Sequence, residues 1–320
     1  MNSKMLRKLA IVSLLCIGLL LAPVCTAGFH SITKAVKHSD KIAEIQDKIQ
    51  SYPTTQSSEY WALLFAVGVY YNHPDQDRPS MLEAVDDLYS TLLDSDHWQA
   101  DHIRLIKAQD GTGVNLLQGL QWLDNMEDSE DVSLIYITTH GFPLRDQNGR
   151  GIDFPPFDEA DGADEALVMY HGFENWYSYI WDDLLNFFIS KLESQGVCLI
   201  VDSCYSGGFR DPPFENANDA FEEYTAQSFS EGLVEDLAGQ GRVVLMSSEE
   251  YTVSYGSYFS SFLIEGFKGW ADLAGNIDGV VSAEEAFYYS QFWVDLLGDQ
   301  HPTIADYYPG DLPITTAWSE

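Results

Sequence analysis

Residues 197–208 read VCLIVDSCYSGG: five apolar residues, an acid, a serine, a cysteine, and then mostly small residues that end in two glycines. The apolar run predicts a buried strand, since strands covered on both faces are continuously hydrophobic. Cys198 lies inside this strand, and we expect it to be an ordinary core residue. Cys204 follows the strand, and open α/β sheets form their sites at the carboxyl ends of strands. Cys204 is therefore the first candidate for chemistry.

The first 27 residues resemble a secretory leader. Three basic residues precede an apolar stretch at 9–24, and Cys25-Thr-Ala27 resembles a signal-peptidase site. An apolar stretch of this length is short for a membrane-spanning helix, so we predict a cleaved signal peptide over residues 1–27. The protein would then be secreted or extracytoplasmic. An uncleaved N-terminal anchor that leaves the protein facing outside is the alternative.

Loss of the leader would remove Cys16 and Cys25 and leave only Cys198 and Cys204. The extended chain between these two spans on the order of 20 Å, whereas a disulfide requires Cα atoms within about 7 Å. The two cysteines should therefore not pair with each other. Free thiols are unusual in exported proteins, so Cys204 needs a functional explanation.

The chain is strongly acidic. Its formal net charge is −34, and without the leader it has 13 basic and 50 acidic residues, a net charge of −37. Such a charge argues against nucleic acid as a partner, and against a membrane partner beyond the leader itself. It favours cationic substrates or bound metal ions, with adaptation to a saline environment as the alternative.

Apolar runs alternate with amphipathic stretches along most of the chain. The predicted strands are residues 61–70, 102–107, 132–138, 197–201 and 242–246, and the predicted helices are residues 80–93, 113–123, 180–192, 259–267 and 282–297. This order predicts an α/β fold with a mostly parallel central sheet and helices on both faces. The predicted domain covers residues 59–316 and follows a propeptide-like or linker segment at 28–58. Two long loops, 142–175 and 209–228, follow strand ends, and loops of that length are usually functional or mobile.

His140 and Gly141 come directly after the strand predicted at 132–138, so they should lie at the same sheet edge as Cys204. A Cys–His pair is sufficient for acyl transfer. The thiolate attacks, and the imidazole lowers the effective pKa of the thiol and later protonates the leaving amine. The N–H groups of Gly141 and Cys204 would form an oxyanion hole. His171, in the acidic loop, is an alternative partner that no motif supports.

Several motifs occur together and in order. The segment IYITTHG at 135–141, followed by Asp-Ser-Cys-x-Ser-Gly at 202–207, resembles the caspase/metacaspase superfamily of cysteine peptidases, most of all its prokaryotic caspase-like branch. Three further segments resemble the family in its own order, namely residues 112–123, the acidic residues 158–167, and Ile180-Trp-Asp-Asp-Leu184. The resemblance covers roughly residues 62–314.

The resemblance implies a caspase-like three-layer sandwich with Cys204 as nucleophile and His140 as general acid and base. Asp202 matches the metacaspase residue that helps to form an acidic S1 pocket, which implies cleavage after Arg or Lys. The chemistry itself requires no cofactor. The implied partners are peptide or protein substrates with a basic P1 residue.

Calcium is a further implication of the resemblance, as an activator. Asp182 and Asp183 match the family's Asp-Asp pair, and their companions would be Asp211 and either Asp161 or Asp164. Calcium prefers six to eight oxygen ligands from carboxylates and carbonyls. The alternative is that Asp182 and Asp183 are simply acids in the first turn of a helix, where negative charge is favourable.

A second candidate calcium loop lies at residues 274–285. Asn276, Asp278, Gly279 and Glu285 fit positions three, five, six and twelve of an EF-hand, but position one is Ala274. Asp272 could replace it only in a rearranged loop. A turn and a helix start without metal is the interpretation that the sequence favours.

The sequence therefore predicts an exported cysteine endopeptidase with a His140–Cys204 dyad, cleaving after Arg or Lys, with activation by calcium and self-processing as further expectations. Arg145, Arg150 and Arg210 lie in predicted loops and are the candidate cut sites. Two alternatives remain. One is a non-catalytic, acidic, calcium-binding surface protein on a caspase-like scaffold, and the other is a legumain-like peptidase specific for Asn.

Overall fold

An eight-stranded sheet forms the centre of the computed structural model, which describes residues 58–146, 148–157, 159, 162–175, 178–205, 237–247, 258–297 and 302–317, with residues 204 and 205 as strand backbone only. The strands of this sheet are β1 (Tyr60–Ala66), β2 (Ile103–Lys107), β3 (Val132–Pro143), β4 (Glu165–Val168), β5 (Tyr179–Trp181), β6 (Gly196–Tyr205), β7 (Arg242–Met246) and β9 (Thr303–Asp306). A separate antiparallel pair joins β8 (Val280–Ser282) to β10 (Pro313–Thr316). All described residues belong to one unit, Gln56–Glu320.

The main path of the sheet runs β2-β1-β3-β6-β7-β9. The five strands from β2 to β7 are parallel, which confirms the predicted mostly parallel sheet. Strand β9 adds an antiparallel edge beside β7, and β4 and β5 extend from the end of β3 as an antiparallel arm. These three short strands were not predicted.

Helices cover both faces of the sheet, so the α/β three-layer prediction is correct. The helices are α1 (Pro79–Leu93), α2 (Gly113–Met126), α3 (Asp182–Ile189), α4 (Tyr258–Glu265), α5 (Ala271–Ala274) and α6 (Ala283–Leu297), with a π-helical segment, Gly266–Trp270, between α4 and α5. One apolar cluster joins α1, α4 and α6 to one face, and a second joins α2 and α3 to the other. Along β6, for example, Cys198 belongs to the first cluster and Leu199 to the second, as the two-residue period of a strand requires. None of the helices in the described residues is long and apolar enough to cross a membrane.

Two predicted boundaries were wrong near the site. The strand predicted to reach Tyr70 ends at Ala66, because Gly68 adopts φ +63° and turns the chain away from the sheet. A side chain at this position would meet Leu82, so both the conformation and the packing require glycine. The helix predicted from residue 180 begins at Asp182, because residues 179–181 pair with β4 instead.

Candidate functional site

The two predicted catalytic residues occupy neighbouring positions on neighbouring strands. In the parallel register of β3 and β6, His140 pairs with Cys204, Thr138 with Asp202, and Gly141 with Tyr205. Both positions lie beyond Val201, at the carboxyl end of the sheet, because the two strands continue past the point where β1 and β7 stop. The expected common edge is therefore confirmed for the backbone.

The imidazole of His140 is held through one of its nitrogens. The ring is 2% exposed, and Nε2 lies 2.9 Å from the backbone carbonyl oxygen of Gln76. A carbonyl only accepts, so Nε2 carries the proton in the neutral ring and Nδ1 is the basic nitrogen. Nδ1 is buried and has no hydrogen-bond partner among the described residues. The base is thus oriented, with its lone pair available.

The loop that follows β1, residues 67–78, supplies that carbonyl and closes on itself. The N–H of Arg78 donates to the carbonyl of Gly68 at 2.8 Å, and the N–H of Tyr70 donates to Oδ1 of Asp77, also at 2.8 Å. These two bonds fix the ends of the loop against each other. The loop therefore brings Tyr70 and Gln76 to His140 from one side.

Aromatic rings surround His140. The ring of Tyr70 stacks on the imidazole, with ring centroids 5.0 Å apart and an interplanar angle of 24°. Phe173 meets both rings edge-on, with its centroid 5.9 Å from that of His140 and 4.9 Å from that of Tyr70. Phe173 belongs to the turn after β4, which also contains His171. His171 packs instead against Tyr71 and Tyr170.

The pKa of His140 is lowered to about 4, chiefly by burial; the bond to the Gln76 carbonyl raises this pKa, and the positive charge of Arg78 lowers it. At neutral pH the imidazole is therefore uncharged and can accept a proton. Arg78 donates from its guanidinium to the carbonyls of Asp77 and Asp75. A cation thus acts on His140, in a chain that is otherwise dominated by acids.

Asp202 is buried under two hydroxyl groups. It is 2% exposed, Ser247 donates to its Oδ1 at 2.7 Å, and Ser260 of α4 donates to its Oδ2. The hydroxyl of Tyr136 lies 2.8 Å from that of Ser260. The structure therefore ties Asp202 to the helix layer, and its predicted role in a substrate pocket stays a prediction.

Gly141, the predicted oxyanion-hole donor, lies between two strands. It pairs with Tyr205 of β6 on one side and with Leu167 of β4 on the other. The β4 arm thus starts directly at the site. The role of the Gly141 N–H as a donor in an oxyanion hole stays a prediction.

Three carboxylates gather beside the β4 arm. Oxygens of Glu159, Asp164 and Asp182 lie within 4.8 Å of one another, and the two aspartates are buried. Asp164 accepts from the N–H of Phe154, and Asp182 accepts from the N–H groups of Glu165 and Asp183. The donor set is all oxygen, which suits a hard cation such as calcium.

The predicted metal ligands are thus brought together only in part. Asp164 and Asp182 meet, and Glu159 joins them although it was not predicted. Asp183 follows Asp182 in the first turn of α3 and is not a member of this group. Asp161 and Asp211 lie outside the described residues, as does the loop at 209–228 with Arg210.

The second candidate calcium loop is held by its own hydrogen bonds. Asp272, rather than Ala274, directs its carboxylate inward, and its Oδ1 accepts from the N–H groups of Asp278 at 2.8 Å and Gly279 at 3.2 Å. Ser282 and Glu285 cap α6 reciprocally, since Ser282 Oγ accepts from the N–H of Glu285 and the Glu285 carboxylate accepts from the N–H of Ser282.

Two candidate cut sites flank a tight turn. Arg145 forms an isolated bridge with Gly151, and its guanidinium donates to the carbonyl of Gly149. Arg150 is exposed, and its N–H donates to the Asp146 carboxylate. Arg150 is thus the more exposed residue of the two.

Sequence reasoning missed four residues near His140. Tyr70 was assigned to a strand, Gln76 acts through a backbone atom, and Phe173 and Arg78 lie in loops without a motif. One signal was available for the loop at 67–78. It follows a predicted parallel strand, so it must emerge at the same sheet edge as His140 and Cys204.

No protein-family model matches the chain, and no curated protein matches it significantly. A solved structure shares its fold. A structural-genomics protein from Geobacter sulfurreducens is 16% identical with a TM-score of 0.52, over 81% of this chain and 100% of that one. Caspase-1 from Spodoptera frugiperda is 12% identical with a TM-score of 0.48, over 84% and 94% of the two chains. The structure of pro-sf-caspase-1 is 12% identical with a TM-score of 0.48, over 82% of this chain and 92% of that one. At these identities the likeness concerns the fold alone.

Proposed function

We propose that the protein is a cysteine endopeptidase in which His140 and Cys204 form the catalytic dyad. The observation that carries the proposal is the register of β3 and β6 together with the state of His140. A buried imidazole has one nitrogen fixed by a carbonyl and the other without a partner among the described residues, beside the backbone position of a cysteine. A cysteine with a histidine that a third group orients is the arrangement that nucleophilic catalysis requires.

The chemistry follows from the neutral histidine. Nδ1 of His140 takes the thiol proton as the sulfur of Cys204 attacks the scissile carbonyl carbon, and an oxyanion forms. Backbone N–H groups at Gly141 and Cys204 would stabilise that oxyanion. The imidazolium then gives its proton to the leaving amine, the C–N bond breaks, and a thioester remains. Water, activated by the same imidazole, hydrolyses the thioester and restores the thiol.

We propose further that Asp202 selects a basic P1 side chain. Asp202 pairs with Thr138 in the register and lies two residues before Cys204. An ion pair with a buried carboxylate is stronger than the same pair in water, because the local dielectric constant is lower. The cation of Arg78, whose charge acts on His140, would instead favour an acidic P1 residue. A peptide series that varies P1 separates these two outcomes.

One experiment tests the function. The purified protein is assayed on fluorogenic peptides with Arg, Lys, Asn or Asp at P1, with Cys204→Ala as the inactive control. We expect cleavage after Arg and Lys only. Cleavage after Asp alone would assign the pocket charge to Arg78, and cleavage after Asn alone would favour the legumain-like alternative. No cleavage, together with an unreactive Cys204, would favour the non-catalytic scaffold.

Calcium as an activator is a second proposal, supported by the three carboxylates at Glu159, Asp164 and Asp182. These residues would hold the ion and so fix the acidic loop against the β4 arm. We expect calcium to raise the melting temperature of the wild-type protein and of Asp278→Asn, the control in the second candidate loop. Asp182→Asn should lose this response. If Asp278→Asn lost the response instead, the ion would be assigned to the loop after α5.

Export and self-processing belong to the same proposal. A leader over residues 1–27 would deliver the protein outside the cytoplasm. Cleavage after the exposed Arg150 would open the turn beside the acidic loop. N-terminal sequencing of the fragments tests both, and a Cys204→Ala variant that still shows the internal cut in purified form would exclude self-processing.

A further inference from the structure

The backbone of His140 lies where the sheet loses a strand. Val67, just past the end of β1, donates its N–H to the carbonyl of Thr138 and then the chain turns away. In a parallel strand the N–H of residue i + 2 points to the same side as the carbonyl of residue i. The N–H of His140 therefore points toward a strand that is no longer there. A buried N–H without an acceptor is strongly unfavourable.

Tyr70 fills this position. Its hydroxyl oxygen accepts from the N–H of His140 at 3.0 Å and lies 3.0 Å from Oγ1 of Thr139. The hydroxyl of Thr139 donates to the carbonyl of Val168 in β4, so its one proton is already used. The Tyr70 hydroxyl must then donate to Thr139. The result is a directed chain of bonds from His140 through Tyr70 and Thr139 to β4.

The ring of Tyr70 makes a second, independent contact. It stacks on the imidazole, and its own N–H is tied to Asp77 in the loop that also presents the Gln76 carbonyl. One side chain thus fixes the backbone of His140 and the plane of its ring. The Gln76 carbonyl determines which ring nitrogen carries the proton.

We propose that Tyr70 is the positioning residue of the dyad, with its hydroxyl replacing the missing strand partner of His140 and its ring setting the imidazole plane. The inference rests on the proposed function, since it concerns the same histidine and cysteine. Tyr70 acts through His140 and has no role on the substrate.

Tyr60 offers a matched control. It lies on β1 at the opposite end, is also buried, and also stacks on a histidine, His97, at 4.8 Å. Tyr70→Phe removes only the hydroxyl and keeps the ring. Tyr60→Phe makes the same chemical change beside a histidine with no part in the site.

Two readouts separate positioning from activity. The first is kcat and KM on the best peptide substrate, where Tyr70→Phe should lower kcat about tenfold and leave KM within about twofold. The second is the initial rate of Cys204 alkylation by iodoacetamide, followed by peptide mapping, at pH 6.5 and pH 9. The rate at pH 6.5 divided by the rate at pH 9 should fall about tenfold in Tyr70→Phe, because the histidine assists the reaction only while the thiol is protonated. Tyr60→Phe should match the wild type in both.

Each result decides one of the two proposals. Wild-type kcat and a wild-type alkylation ratio in Tyr70→Phe would overturn the positioning role while leaving the peptidase standing. A reduced ratio in a protein that cleaves no peptide would support the positioning role and overturn the peptidase. If Tyr70→Phe does not fold, Thr139→Val cuts the same chain one bond further on, and an unchanged ratio in that variant overturns the proposal.

Discussion

The buried His140 should make the protein less stable in mild acid. In an unfolded chain a histidine has a pKa near 6.5, and burial lowers the pKa of His140 to about 4. Between these values the unfolded chain binds a proton that the folded protein does not, so stability falls as the pH falls. This effect of His140 on the free energy of unfolding is absent above about pH 6.5 and grows progressively down to about pH 4.

The magnitude follows from the two pKa values, since one pKa unit corresponds to about 1.4 kcal/mol. The linkage predicts a loss of about 3 kcal/mol between pH 7 and pH 4. His140→Gln removes the titration and keeps an amide that can donate to the Gln76 carbonyl. Urea unfolding followed by circular dichroism at several pH values gives the free energy of unfolding for both proteins.

The comparison isolates His140 because all other groups titrate in both proteins. The difference between wild type and His140→Gln should change by about 3 kcal/mol between pH 7 and pH 4. His97→Gln, which changes a partly exposed histidine at the opposite end of β1, controls for the loss of a histidine as such. Parallel pH profiles for wild type and His140→Gln would refute a neutral, buried imidazole, and with it the general-base step.

Three further substitutions should change stability in known directions, each measured by urea unfolding. Burial, with added repulsion from nearby acids, raises the pKa of Glu284 to about 7, so Glu284→Gln should be more stable than wild type by about 3 kcal/mol at pH 8.5. That difference should vanish near pH 4.5, and a pH-independent difference would contradict it. Gly119→Ala places a methyl group 2.7 Å from Leu63 and should cost about 1–3 kcal/mol; an unchanged unfolding midpoint would mean that α2 shifts freely on β1. Asp131→Ala removes the acceptor for the indole N–H of Trp61 and for two backbone N–H groups, and should cost about 3 kcal/mol or more, whereas a loss below 1 kcal/mol would show that water replaces it.

Most of the fold was predictable because its central strands are long apolar runs. Strands β1, β3 and β6 alternate with helices, and that order leaves a parallel sheet as the simplest solution. The short strands were not predictable in this way. Strand β4 lies in an acidic loop rich in glycine, and β9 is half polar, so both are strands only because a neighbour offers them hydrogen bonds.

The candidate site divides along the same line. His140 and Cys204 are side chains that the proposed chemistry requires, at the ends of recognisable strands, so the sequence predicted that their positions are neighbours. The Gln76 carbonyl is a backbone atom that any residue could supply, and only tertiary structure reveals it. Glu159 was hidden for the opposite reason, because a chain with 50 acidic residues offers too many equivalent choices.

The net charge of the protein does not by itself decide what the site binds. Among the described residues, the charge that shifts the pKa of His140 is the cation of Arg78. Asp202 is acidic, but its two oxygens already accept from Ser247 and Ser260. A basic P1 side chain that reached this carboxylate would share it with both hydroxyl groups. A basic P1 side chain would be attracted by Asp202 and an acidic one by Arg78, so a peptide series that varies only P1 tests the proposed specificity directly.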